Sequence, residues 1–144
     1  MSSGLNPAPA EGNPGVGEGA ARPRSGVILV VDDSATERHH LVDLLKRQGF
    51  EVRSADDGLQ AIARIRMQRP ALIILDVVMP GANGFQVTRA LARDPETRDI
   101  PVILCTTKDA ETDRIWGLRQ GAKAYVTKPV DSQTLLARIA ELLP

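Results

Sequence analysis

The run Leu72-Ile73-Ile74-Leu75 breaks off into Asp76, and Pro80-Gly81 follow within a few residues. An unbroken apolar run of this length reads as a strand covered on both faces, as in the middle of a parallel sheet. In open α/β sheets the ligand crevice lies beyond the carboxyl ends of the strands. Asp76 therefore stands at the mouth of such a crevice. A lone Asp after a strand is more often a turn or helix cap, so the other strand ends decide its role.

The rest of the chain supplies those ends. Residues 1–24 hold four prolines and five glycines, with Met1, Leu5 and Val16 as the only sizeable apolar side chains. That composition cannot offset its ordering entropy and reads as a disordered Gly/Pro/Ala-rich tail, which leaves 25–144 as one folded domain. Val27–Val31 is a β-branched strand ending in Asp32-Asp33. Ser34 and Glu37 then have the spacing of a capping box, opening a helix with Leu41, Leu44 and Leu45 inward that stops at Gly49. Residues 50–55 alternate weakly, as a peripheral strand would. Asp57-Gly58 open a second helix with Ile62 and Ile65 inward, halted by Pro70.

Beyond the Asp76 strand, residues 84–92 form a short helix on Val87 and Leu91, and 100–105 a fourth strand. Residues 109–120 predict a fourth helix, with Ile115 and Leu118 on its inward stripe and Gly121 as C-cap. Gly117 in its interior costs ~1 kcal/mol relative to Ala, which predicts a loose element. Residues 124–126 are a fifth strand, and Lys128-Pro129 leads to a last helix with Leu135, Ile139 and Leu142 facing in. Strands alternating with helices of this length imply βαβ units and a parallel sheet. The expected fold is α/β, a doubly wound, flavodoxin-like sheet of five strands and five helices. Its order 2-1-3-4-5 is taken from the likeness to that class.

In that order the tips of strands one, three, four and five converge, bringing together Asp32, Asp33, Asp76, Thr106 and Lys128. Crowded carboxylates repel and raise one another's pKa unless a cation joins them. Oxygen-only ligands select a hard cation, and a partial shell completed by water and phosphate suits Mg²⁺. Lys128 can pair with a further anion brought by the substrate. A carboxylate nucleophile, a divalent ion, a lysine and a hydroxyl make a phosphoryl-transfer site, in which Asp76 becomes an aspartyl phosphate. Each residue alone has a plainer reading: Asp32-Asp33 as an N-cap, Thr106 as a β-branched strand residue, Lys128 as a solvated charge. Their coincidence at successive strand tips favours the joint one.

Eighteen basic and eighteen acidic residues cancel, so no charge excess points to nucleic acid or an anionic membrane. The single cysteine, Cys105, excludes an internal disulfide and fits a reducing compartment. No apolar run approaches the ~20 residues that span a bilayer, and the N-terminus lacks the features of a secretion signal. The expected setting is the cytoplasm.

The motifs VVDDS, LDVVMPGANGF, ILCTTKDA and AYVTKPV occur in that order from Val27 onward. With them the chain resembles the receiver domain of bacterial two-component response regulators. The resemblance implies that Asp76 is the phosphoacceptor and Asp33 a direct Mg²⁺ ligand. Asp32 would act mainly from the outer shell, and the backbone carbonyl of Val78 would be a further ligand. Thr106 and Lys128 would bind phosphoryl oxygens, Lys128-Pro129 would be cis, and Tyr125 would be the switch aromatic that moves with Thr106. The donor would be a histidine kinase, and output would pass through the face of the fourth helix, fifth strand and fifth helix. The chain would be a switch and not an enzyme in the ordinary sense, limited to self-catalysed phosphoryl transfer and slow autodephosphorylation. With no DNA-binding or catalytic module before Pro144, output would be protein–protein.

The run TTKDAETDRIWGLRQGAKAYVTKPV is similar to stand-alone regulators of the type IV pilus chemosensory system, which governs twitching motility. That likeness implies a chemosensory kinase and singles out Trp116, either partly packed beside Ile115 or an anchor for a partner. Thr107 is bulkier than the small residue usual at its position, Val78 is apolar, and Lys108 adds a cation. His39 and His40 read as surface residues. A phosphatase of the haloacid dehalogenase group is the rival, but it carries Asp-x-Asp after its first strand, whereas here the two Asp are adjacent and the nucleophile follows the third. A pseudo-receiver that only binds partners is opposed by the complete acidic set.

Overall fold

The most apolar stretches of the chain form one parallel sheet. A computed structural model describes residues 26–143; the tail expected over 1–24 lies outside the described residues. The strands are β1 (Val27–Val31), β2 (Glu51–Ala55), β3 (Leu72–Leu75), β4 (Val102–Thr106) and β5 (Ala124–Thr127), in the order β2-β1-β3-β4-β5. The helices are α1 (Ala35–Arg47), α2 (Gly58–Met67), α3 (Gly84–Arg93), α4 (Glu111–Gln120) and α5 (Ser132–Leu142).

The pleat explains why β1 and β3 are apolar throughout. Leu29, Val31, Ile73 and Leu75 point to one face, into a core with Ala61 and Ile65 of α2 and Val87 and Leu91 of α3. Ile28, Val30, Leu72 and Ile74 point to the other, against Leu41, Leu44 and Leu45 of α1 and Leu135 and Ile139 of α5. Neither face is free for a polar residue until the strand ends.

Register then fixes the tips. Val31 pairs with Leu75, and Thr106 with Thr127. The ladder runs one residue further: Asp32 N donates to Ala55 O at 3.2 Å, Asp76 N to Val31 O at 3.0 Å, and Lys128 N to Thr106 O at 2.8 Å. The backbones of three candidate site residues are thereby part of the sheet. The Lys128-Pro129 bond is cis, as the resemblance implies.

Three expectations are corrected. Helix α4 starts at Glu111 rather than 109, behind Ala110, which has no side-chain cap bond. Its expected inward stripe faces outward instead: Ile115 is 43% exposed and Leu118 36%. The buried residue of α4 is Gly117. A Cβ there would lie 2.8 Å from Leu104 Cδ1 and 3.1 Å from the Tyr125 ring, closer than carbon atoms pack. The glycine lets the helix lie directly on β4 and β5. The capping box expected at Ser34 and Glu37 is half formed. Ser34 Oγ accepts from Glu37 N at 3.3 Å, but Ser34 N donates to Asp32 Oδ1 at 2.9 Å. A complete box opens α3 instead, between Asn83 and Gln86. No helix among the described residues is long and apolar enough to cross a membrane.

Candidate functional site

The sheet delivers what the strand tips promise. Carboxylate oxygens of Asp32, Asp33 and Asp76 lie within 4.8 Å of one another. Asp32 and Asp76 are buried, while Asp33 opens to solvent. Lys128 Nζ stands 2.7 Å from Asp32 Oδ2 and 3.4 Å from Asp76 Oδ2. It also forms an ion pair with Glu37, in the first turn of α1.

The three aspartates are not equivalent. Asp32 Oδ1 accepts from Ser34 N at 2.9 Å and Oδ2 takes the lysine, so both its oxygens are engaged. Asp76 Oδ1 accepts from Val78 N at 3.2 Å. Arg38 ties the region to β2: its Nη1 donates to the Asp32 carbonyl at 2.8 Å and lies 3.4 Å from Asp56 Oδ1 beyond that strand. Behind Asp76, Gly84 opens α3 with its N–H 2.9 Å from Val77 O. A Cβ at Gly84 would clash with the carbonyl oxygen of Asp76. The helix start therefore backs the Asp76 loop directly.

Charge at the site is unbalanced. Burial pushes the Asp76 carboxyl above its ordinary 3.8; Lys128 and the Val78 N–H pull it down without cancelling the rise, to which Asp32 adds. Burial works against the Lys128 ammonium, yet bonds from Asp32 and Glu37 and the charge of Asp76 outweigh it and hold the pKa above the usual lysine range. Four carboxylates around one ammonium leave the cluster net negative and all-oxygen. That donor set fits a hard divalent cation held by carboxylates and waters.

Thr106 is fully buried at the end of β4. Its Oγ1 accepts from Lys108 N at 3.3 Å, and Tyr125 O–H donates to Lys108 O at 2.6 Å. A two-bond path thus joins the hydroxyl beside Asp76 to the aromatic under α4. Burial pushes the Tyr125 phenol up to about 12, so it stays a donor at neutral pH.

All five strand-tip residues singled out by sequence come together. The Val78 side chain is exposed, and its N–H donates to Asp76 Oδ1. Thr107 is exposed and lines a cavity of about 450 Å³ with Glu37, His40, Lys128 and Pro129. Lys108 aims at Asp113 of α4, 3.9 Å away, and not at the acidic cluster. His39 and His40 are both exposed. Trp116 is 49% exposed on α4. Sequence reasoning missed Glu37 and Arg38 as neighbours of the site. The available signal was that α1 begins just past Asp32, which hangs its first turn over the strand ends.

A model of the response regulator receiver domain matches residues 28–140. The chain is similar to Protein PilH of Pseudomonas aeruginosa, 52% identical over 116 residues that cover 81% of this chain and 96% of that protein. It is 46% identical over 118 residues to Response regulator PleD of Caulobacter vibrioides, covering 82% of this chain but 26% of that one. Among solved structures it is similar to chemotaxis protein CheY4 of Vibrio cholerae, with a TM-score of 0.76, 32% identity, and 81% and 98% of the two chains covered.

Proposed function

We propose that this chain, which belongs to the response regulator receiver family, is a phosphorylation switch working from Asp76 in a motility phosphorelay. Receiver domains of response regulators take phosphate from histidine kinases. The observation that carries the reading is the meeting of Asp32, Asp33 and Asp76 with Lys128 Nζ, 3.4 Å from Asp76 Oδ2, at the carboxyl edge of the sheet.

An Asp76 oxygen attacks the phosphorus of a kinase phosphohistidine. The P–N bond breaks, the imidazole leaves with the bonding pair, and an acyl phosphate forms. Lys128 meets charge developing on the transferred oxygens, and the Thr106 hydroxyl donates to another. Asp33, Asp76 and the Val78 carbonyl would hold Mg²⁺, with Asp32 in the outer shell. Bound there, the ion would supply positive charge to offset that developing on the phosphoryl oxygens. The engagement of both Asp32 oxygens by Ser34 N and Lys128, beside a solvent-exposed Asp33, supports that division.

Drawing Thr106 toward the phosphoryl group loosens its bond to Lys108 N, and with it the Lys108 carbonyl that holds Tyr125. The face of α4, β5 and α5 is remodelled as a result, a local charge event biasing a bistable element. Exposed Ile115 and Trp116 on α4 are the apolar contacts that face offers a partner protein. The likeness to PilH supports a chemosensory kinase of the type IV pilus system as the donor, and a cytoplasmic setting suits the lone thiol of Cys105. The chain's own chemistry is limited to accepting the phosphoryl group and losing it slowly to water.

The test is beryllofluoride, a phosphoryl mimic, added with Mg²⁺ while Trp116 fluorescence is followed. A saturable change in wild type that Asp76→Asn lacks supports the reading. A silent wild type, or equal responses from both, refutes it.

A further inference from the structure

We propose that Glu37 is a positioning residue that competes with the phosphoryl group for Lys128. It occupies the ammonium in the unphosphorylated protein and yields it afterwards. This rests on reading the strand-tip cluster as a phosphoryl site.

Glu37 has the spacing of the second arm of a capping box, whose carboxylate would accept from the Ser34 N–H. That donor is already taken, by Asp32 Oδ1 at 2.9 Å. The Glu37 carboxylate turns instead to Lys128 Nζ, though nothing in the helix requires it to.

An ammonium has three N–H donors. Lys128 faces three carboxylates: Asp32 at 2.7 Å, Asp76 at 3.4 Å, and Glu37. Lys128 donates to Asp32 and Asp76 and keeps Glu37 as an ion-pair neighbour, so a phosphoryl oxygen arriving on Asp76 must displace one of the three from the ammonium. The Asp32 side chain is 2% exposed, and a charge left unpaired there would be costly. Asp76 bears the phosphoryl group itself. The Glu37 side chain is 46% exposed, although the Oε1 against Lys128 is covered, and it borders the cavity shared with Thr36, His40 and Thr107, so a rotation carries the carboxylate into water. Glu37 is the acceptor that gives way. Its hold on Lys128 then sets how strongly the site resists taking a phosphoryl group, separately from the metal.

The experiment compares beryllofluoride affinity of wild type, Glu37→Gln and Glu37→Asp at saturating Mg²⁺, read by Trp116 fluorescence, beside each protein's melting temperature. Glu37→Asp keeps the charge in the first turn of α1, where the helix dipole favours it, but its shorter side chain withdraws from Lys128. Both variants are expected to bind about two- to fivefold more tightly than wild type, the range of a half-exposed ion pair. Affinities equal to or weaker than wild type overturn the proposal. So does tighter binding by Glu37→Gln alone, which would leave no role for the contact itself. A Glu37 that only served the helix would lower the melting temperature and leave the affinity where it was. If wild type takes up no beryllofluoride, the phosphoryl reading falls first and this inference with it.

Discussion

Gly84→Ala is a small substitution aimed at the geometry of Asp76. The added Cβ would clash with the Asp76 carbonyl oxygen and lie 2.7 Å from Val77 Cα. Both are backbone atoms held by main-chain hydrogen bonds, Asp76 N to Val31 O and Gly84 N to Val77 O. No rotamer change relieves such a contact. Overpacking costs ~1–3 kcal/mol, and backbone obstacles put this case at the upper end. Alanine's helix preference returns at most ~1 kcal/mol. The net loss is about 2 kcal/mol, which lowers the melting temperature by roughly 8 °C or more for a domain of this size. Relief comes from α3 or the Asp76 loop moving by a good fraction of an ångström. A misplacement of about 1 Å costs on the order of 10²-fold in reaction rate, so labelling by acetyl phosphate should slow by at least about tenfold. Gly81→Ala is the control. Gly81 has φ 74° with nothing near its missing Cβ, so alanine there costs only the ~1–2 kcal/mol of left-handed backbone and leaves labelling intact. Scanning calorimetry and a labelling time course on the two variants decide the matter. Wild-type stability and rate in Gly84→Ala would refute the claim that α3 fixes the acceptor.

Without metal at neutral pH, Asp76→Asn should melt higher than wild type. The Asp76 carboxyl is pushed above 3.8 in the fold, so its folded form favours the proton. Its contribution to stability is present below 3.8 and is lost as pH rises through the higher folded value. The advantage of Asp76→Asn should therefore shrink as pH falls toward 4 in a series of thermal melts. Lys128→Met leaves Asp32 and Asp76 facing each other without their cation and should cost about 3 kcal/mol or more in urea melts, a loss that added Mg²⁺ reduces. Trp116→Ala, at a half-exposed position, should change stability by only about 0.5 kcal/mol while weakening capture of the downstream partner by the phosphorylated protein. Equal capture would remove Trp116 from the output face.

The fold was legible where burial on two faces leaves a one-dimensional record. β1 and β3 announce themselves as apolar runs because helices cover both sides of them. The acids ending those runs were legible because a parallel sheet brings such ends to one edge. What could not be read depends on approach distances. Gly117 suggested weakness by propensity, yet it marks where α4 touches Leu104 and Tyr125. Ile115 and Leu118 have core-like spacing, but the helix is held through Gly117 and leaves them exposed. Glu37 fits a local capping pattern, and only the folded chain shows a distant lysine as its partner. Local spacing cannot rank two partners when one of them lies far along the chain.

The central claim is that separate strand ends build one phosphoryl-accepting carboxylate. The most direct measurement is intact mass, with peptide mapping, after incubation with acetyl phosphate in the presence and absence of Mg²⁺. The account predicts a gain of one phosphoryl group, dependent on Mg²⁺, located at Asp76 and missing in Asp76→Asn. A protein that stays unmodified, or is labelled elsewhere or equally without the ion, contradicts it.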